Sequence, residues 1–159
     1  MILFFTSIIL FNFITFTFVK RLTGNQISHI WSFTISFQLI FDLLIEHKFL
    51  GYWYFDKGVE LFDLLAHIFL IPPVNIIFLN WFPTKSTLIK QSLYITAWTC
   101  FVLIYEYMAI LPKPFGFFHL GWWRVWYDIF VVPILLLILL GYFKYILFLE
   151  RRLLDNNYT

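Results

Sequence analysis

The sequence predicts an all-α membrane protein, a polytopic bundle of about five transmembrane helices. Hydrophobic residues make up 62% of the 159 residues and charged residues only 13%, whereas soluble domains hold about 25% charged residues. The apolar residues fall into five runs, each close to the roughly 20 residues that a helix needs to cross a bilayer. Only short segments separate the runs, so residues 1–159 are predicted to form a single transmembrane domain.

The first run, residues 1–19, is followed by Lys20 and Arg21. A secretory signal peptide carries its positive charge before the apolar stretch and has small residues at a cleavage site. Neither feature is present here, which favours a retained helix. The second run covers residues 26–46 and carries three polar side chains at four-residue spacing, which places them on one helix face: Gln38, Asp42 and Glu46.

The third run, residues 61–82, contains Pro72 and Pro73 at its centre. Proline lacks a backbone donor and clashes with the preceding turn, so this helix is predicted to be kinked at the two prolines. Asn75 follows the kink. In channels and transporters such irregular backbone lines a cavity, and the alternative is a spanning helix whose proline has no such role.

The fourth run, residues 91–111, contains Glu106 and is ended by Pro112. The fifth run, residues 128–149, is rich in leucine. We expect residues 150–159 to form a polar C-terminal tail.

The distribution of basic residues predicts the orientation of the bundle. One set of run ends holds seven Lys and Arg residues and the other holds four. Cytoplasmic loops retain more of these residues, so we expect the N-terminus outside and the C-terminus in the cytoplasm. Seven of the nine acidic residues then lie on the outer side, namely Asp42, Glu46, Asp56, Glu60, Asp63, Glu106 and Asp128. Two aromatic loops, residues 51–58 and 122–127, lie there too.

Five polar residues form the candidate ligand-binding set, which is Asp42, Asp63, His67, Asn75 and Glu106. An ionised group at the centre of a bilayer costs about 2.5–3.5 kcal/mol, so such residues face the bundle interior and often mark a functional site. The alternative is a set of interhelical hydrogen bonds that only stabilise packing, at about 0.6 kcal/mol per pair. Acids nearer the helix ends, including Asp128, are expected to contact headgroups, water or basic side chains.

The sequence contains no recognised metal-binding spacing such as H-E-x-x-H, so whether a metal binds is left open. It indicates no cofactor and contains no catalytic motif. The net charge of +2 and the scattered basic residues argue against a nucleic-acid partner. The expected partners are the lipid bilayer and either a second copy of the chain or another membrane protein.

Three segments carry a resemblance to a known family: residues 54–59, residues 73–80 and the pair Tyr105-Glu106. Together with residues 123–127 and Pro133, they resemble a family of small multi-pass membrane proteins in endospore-forming relatives of Bacillus and Clostridium. The resemblance implies a plasma-membrane protein of about five helices. It implies no activity and no catalytic residues, because none is established for that family.

These observations lead to three functional hypotheses. The first is a non-enzymatic plasma-membrane protein that senses or passes a proton, a cation or a small polar ligand through a polar pocket on its outer side. The second is a structural or accessory subunit of a membrane complex, in which the aromatic loops are contact surfaces. The third is a lipid-modifying enzyme, which ranks last because the sequence contains no evident pair of carboxylates or metal motif.

Overall fold

The computed structural model describes residues 1–55, 61–112 and 114–156. Five helices follow the five apolar runs. Four of them have the bounds α1 Ile2–Phe18, α2 Gly24–Asp42, α4 Leu88–Ala109 and α5 Val125–Asn156. A π-helical turn, Leu43–Lys48, continues α2. The fifth helix, α3, covers residues 61–81 and is composite.

Helix α3 changes its hydrogen-bonding pattern where the sequence predicts a kink. It begins as the α-helical segment Leu61–Leu65, continues as the π-helical segment Ala66–Leu70 and ends as the α-helical segment Ile71–Trp81. The Ile71 N–H bonds to the carbonyl of Ala66, five residues back. Pro72 and Pro73 stand in the first turn of the last segment, where a missing N–H costs least.

The structure also contains a small sheet, so the all-α prediction was wrong at this point. Strand β1, Tyr52–Tyr54, pairs antiparallel with strand β2, Phe118–Leu120. The carbonyl of Gly51 accepts hydrogen bonds from the N–H groups of Gly121 and Trp123, at 2.8 and 3.0 Å. The backbone outside the helices needs hydrogen-bond partners, and aromatic residues favour extended strands.

The sheet and the opposite loops define the two ends of the bundle. Both aromatic loops meet at the sheet end, because the first loop contains β1 and the second begins two residues after β2. At the other end, the Arg21 guanidinium donates to the carbonyl of Phe82 at 2.7 Å. There too, Gln26 Nε2 donates to a carboxylate oxygen of Glu150 at 2.6 Å. Successive helices therefore run in alternating directions between a sheet end and a basic end.

The exterior of the bundle is apolar. Four helical segments are long and apolar enough to cross a membrane, namely Gly24–Glu46, Phe62–Trp81, Leu88–Ala109 and Val125–Asp155. Helix α1 is a shorter apolar helix of 17 residues. Large hydrophobic side chains on α4 point outward, with Leu88 exposed by 80% and Ile89 by 73%. By length and composition, these four segments suit a membrane protein.

The interior is filled by two clusters of buried apolar side chains. One lies towards the basic end and includes Ile30, Phe78 and Phe143. The other lies beneath the sheet and includes Phe4 and Phe117. These two clusters hold α1, α2, α3 and α5 together and leave room between them for the cavity described below.

Helix α5 is longer than the sequence predicts at both ends. It begins at Val125 and runs to Asn156, so the polar residues 150–156 continue the helix beyond the predicted end at 149. Residues 149–154 are three leucines and three charged residues, all of high helix propensity. The contact of Glu150 with α2 also ties this part of the helix to the bundle.

Candidate functional site

A cavity of about 270 Å³ lies inside the bundle, between all five helices and beneath the sheet. Twelve aromatic rings line it, and Trp98 and Tyr105 of α4 are examples. Only a few polar side chains interrupt this wall, namely Thr34, Gln38, Asn75, Glu106 and Asp128. The cavity is therefore apolar over most of its surface, with its two acidic groups near the sheet end.

The two acidic groups form a pair. Glu106 lies three residues before the end of α4, and Asp128 lies three residues after the start of α5. Because the helices are antiparallel neighbours, both carboxyl groups line the same end of the cavity and lie close enough to interact with each other. A carboxylate only accepts hydrogen bonds, so a bond between two carboxyl groups requires one proton. When one proton bridges the two carboxyl groups, the pair carries a single negative charge.

Trp123 positions one member of this pair. Its indole Nε1 donates a hydrogen bond to Asp128 Oδ2 at 2.8 Å. The indole is 8% exposed and packs edge-on against the ring of Tyr52, with 5.8 Å between the ring centroids. Since the backbone N–H of Trp123 also bonds to Gly51, the sheet holds this donor in place against the cavity.

Asn75 lies in the cavity wall on the other side. Its Nδ2 donates to Thr34 Oγ1 at 3.1 Å and so connects α3 to α2. Asn75 is two residues after Pro73, on the far side of the predicted kink. The structure thus places two of the predicted site residues, Asn75 and Glu106, around one cavity.

Asp63 and His67 are buried but belong to a neighbouring polar group. His67 Nδ1 lies within hydrogen-bonding distance of the Asp63 carbonyl, and its ring packs edge-on against Tyr54, at 5.6 Å between centroids. Glu46, also buried, accepts a hydrogen bond from the Tyr54 N–H at 3.3 Å. Tyr54 lines the cavity, so it stands between this group and the carboxyl pair.

The remaining predicted residue, Asp42, ends α2. Its side chain lies outside the part of the chain that the structure describes. The same holds for Asp56 and Glu60, which the sequence analysis placed on the outer side.

Two residues of the site were not recognised from the sequence. From the sequence, Asp128 is expected to contact headgroups, water or basic side chains, and Trp123 belongs to an aromatic loop. The expectation that the chain lacks a carboxylate pair was therefore wrong. The available signal was depth, because Glu106 and Asp128 occur near the facing ends of consecutive antiparallel helices.

The arrangement can hold a proton between two carboxyl groups, accept hydrogen bonds and balance a positive charge inside an apolar wall. Within the described ranges, no group of three or more His, Cys, Asp or Glu side chains could hold a metal ion. Comparison of the chain with family models, curated proteins and solved structures finds no match. The family resemblance stated above therefore stays a prediction.

Proposed function

We propose that this chain is a multi-pass plasma-membrane protein whose internal cavity binds a hydrophobic organic cation. The observation that carries the proposal is the placement of two neighbouring carboxyl groups, Glu106 and Asp128, in a cavity wall of aromatic rings. Binding of such a cation is the step that sensing and transport have in common. The N-terminus lies outside the membrane and the C-terminus in the cytoplasm.

The membrane location is supported by the four long apolar helices and their exposed apolar side chains. The orientation is supported by charge, because the seven-residue set of Lys and Arg belongs to the run ends opposite the sheet. An orientation test uses a chain in which Cys100 is replaced by Ser. Single cysteines at Phe115, which is 55% exposed at the sheet end, and at Ser86 are then treated with a membrane-impermeant thiol reagent on intact cells. We expect labelling at position 115 and none at 86, and the reverse pattern contradicts the orientation.

A hydrophobic cation suits this cavity better than a metal ion does. Calcium binds six to eight oxygen ligands, and magnesium keeps several waters, whereas the cavity wall offers few oxygens. A quaternary or protonated amine brings its own apolar surface, which twelve aromatic rings can cover. A cation over an aromatic face gains about 0.5–2 kcal/mol, more when both are shielded from water.

The charge balance points the same way. A buried negative charge is costly without a positive partner, and a bound cation supplies one for the carboxyl pair. The cavity volume of about 270 Å³ is roughly nine times the liquid volume of one water molecule. It therefore accommodates a cation of the size of benzyltrimethylammonium.

The test compares two ligands of equal shape and different charge. Benzyltrimethylammonium and neopentylbenzene differ by one atom, a cationic nitrogen in place of a carbon. The protein is purified in a neutral detergent and titrated with each compound by equilibrium dialysis, while tryptophan fluorescence reports contact with Trp98 and Trp123. We expect saturable binding of the cation and only micelle partitioning of the hydrocarbon. If both compounds bind saturably and with equal affinity, the charge of the ligand does not matter and the proposal is refuted.

A further inference from the structure

A second concave site lies at the basic end of the bundle, far from the sheet. It is a depression of about 320 Å³ in the connection between α3 and α4, lined by Arg21, Pro83, Thr84, Lys85 and Ser86. The connection is tightly folded, because Thr84 N–H bonds to the Phe82 carbonyl at 2.9 Å and Ser86 N–H to the Pro83 carbonyl at 3.1 Å. Two hydroxyl groups and two cationic side chains thus border one depression.

Arg21 is held in place without losing its charge. Its guanidinium donates to the carbonyls of Phe82 and Asn80, at 2.7 and 3.4 Å, and to the Thr84 hydroxyl. Among the described residues, every hydrogen-bond acceptor of this guanidinium is a neutral oxygen. The contacts fix the orientation of the guanidinium, whose remaining N–H groups and positive charge are available to an anion. Guanidinium groups bind phosphate oxygens well because their N–H groups form a rigid fork.

The surroundings of the depression are amphiphilic. Lys85 is exposed beside it. Immediately after the turn, Leu88 and Ile89 begin α4 and are 80% and 73% exposed. A phosphate group in the depression would therefore have apolar surface next to it, at the position where an acyl chain attached to that phosphate continues into the bilayer.

We infer that this depression binds the phosphate of an anionic phospholipid headgroup, with the acyl chains against Leu88 and Ile89. Arg21 and Lys85 neutralise the phosphate, and the hydroxyls of Thr84 and Ser86 donate to its oxygens. The inference rests on the membrane location proposed above but not on the ligand of the internal cavity. We choose a lipid over free phosphate because Leu88 and Ile89 are exposed beside the depression, and a free phosphate has no apolar part that could contact them.

The test uses the full chain in dodecyl maltoside. Native mass spectrometry counts the lipid molecules retained after addition of dioleoylphosphatidylglycerol or dioleoylphosphatidylcholine, and a third sample receives phosphatidylglycerol plus inorganic phosphate. We expect selective retention of phosphatidylglycerol. A lysine near an anionic lipid surface contributes about 1 kcal/mol of binding free energy. Lys85→Gln should therefore weaken the retention of phosphatidylglycerol roughly fivefold. Inorganic phosphate at the lipid concentration should not displace the lipid.

The control is Lys144→Gln, which removes another exposed lysine from the same end of the bundle without touching the depression. It should retain phosphatidylglycerol like the unmodified chain. Equal retention of the two lipids, or equal losses in the two variants, overturns the inference. Displacement by inorganic phosphate overturns the lipid assignment in favour of a soluble phosphate. A melting temperature equal to that of the unmodified chain shows that each variant is folded, and a loss of stability is recognised by a lower melting temperature.

Discussion

The carboxyl pair predicts an unusual pattern of mutational effects on cation binding. If Glu106 and Asp128 share one proton, replacement of either by its amide leaves one carboxylate and hence the same net charge. Glu106→Gln and Asp128→Asn should each weaken the binding of benzyltrimethylammonium by no more than about tenfold, because each disturbs hydrogen bonds worth about 1 kcal/mol. Only the double variant removes the charge.

The size of the double effect follows from the geometry. A quaternary nitrogen in contact with the pair lies roughly 5 Å from the charge, where two unit charges interact by about 3 kcal/mol at an effective dielectric constant near 20. This corresponds to a loss of affinity of roughly 150-fold. The double variant should therefore lose far more affinity than either single variant does.

The assay is the dialysis titration described above, with Asp155→Asn as the matched acid-to-amide control at the basic end. Neopentylbenzene is measured in parallel, and its partitioning should be the same in all variants. A double variant that binds the cation as tightly as the unmodified chain refutes the reasoning. A single variant that loses as much as the double would show that one carboxylate alone carries the charge, contrary to the shared proton.

Three further predictions concern the structure around the cavity. Trp123→Phe keeps an aromatic ring but removes the N–H that donates to Asp128. It should lower the free energy of unfolding by about 1.5–3 kcal/mol, measured as a lower melting temperature. An unchanged melting temperature would mean that this hydrogen bond does not stabilise the fold. Gly121→Ala places a Cβ atom 2.3 Å from the Leu50 carbonyl oxygen. The clash should lower the free energy of unfolding by about 1–3 kcal/mol and is measured as faster amide exchange in β1. Unchanged exchange contradicts this packing. Asn75→Leu should change the melting temperature little, because one interhelical hydrogen bond is worth about 0.6 kcal/mol, whereas a large loss of cation affinity in this variant would assign Asn75 to the ligand.

The helices were predictable because each apolar run is long enough to span a bilayer and is bounded by charge or proline. Their ends were less predictable, and this affected the site. The sequence suggested that the fifth helix begins at Asp128, which put that carboxyl at the interface. The helix begins at Val125 instead, and one additional turn carries Asp128 to the depth of Glu106.

The sheet could not be predicted from local pattern. Residues 52–54 are all aromatic and residues 118–120 are Phe-His-Leu, and short aromatic segments are also typical of interfacial anchors. Their pairing joins positions more than sixty residues apart, a contact that no helical or strand periodicity encodes. The same long-range contact inserts Tyr54 between His67 and the cavity, so the acids that the sequence suggested as one pocket form two groups.

The two bonds made by Trp123 have a mechanical implication. Its main-chain N–H donates a hydrogen bond to the Gly51 carbonyl beside the sheet, while its indole N–H donates one to the Asp128 carboxylate in the cavity wall. A ligand that attracts the Asp128 carboxylate would therefore displace Trp123, the same residue that is bonded to the sheet. If the proposed cation binds in the cavity, we expect its effect to reach the sheet through this one indole, without movement of a helix.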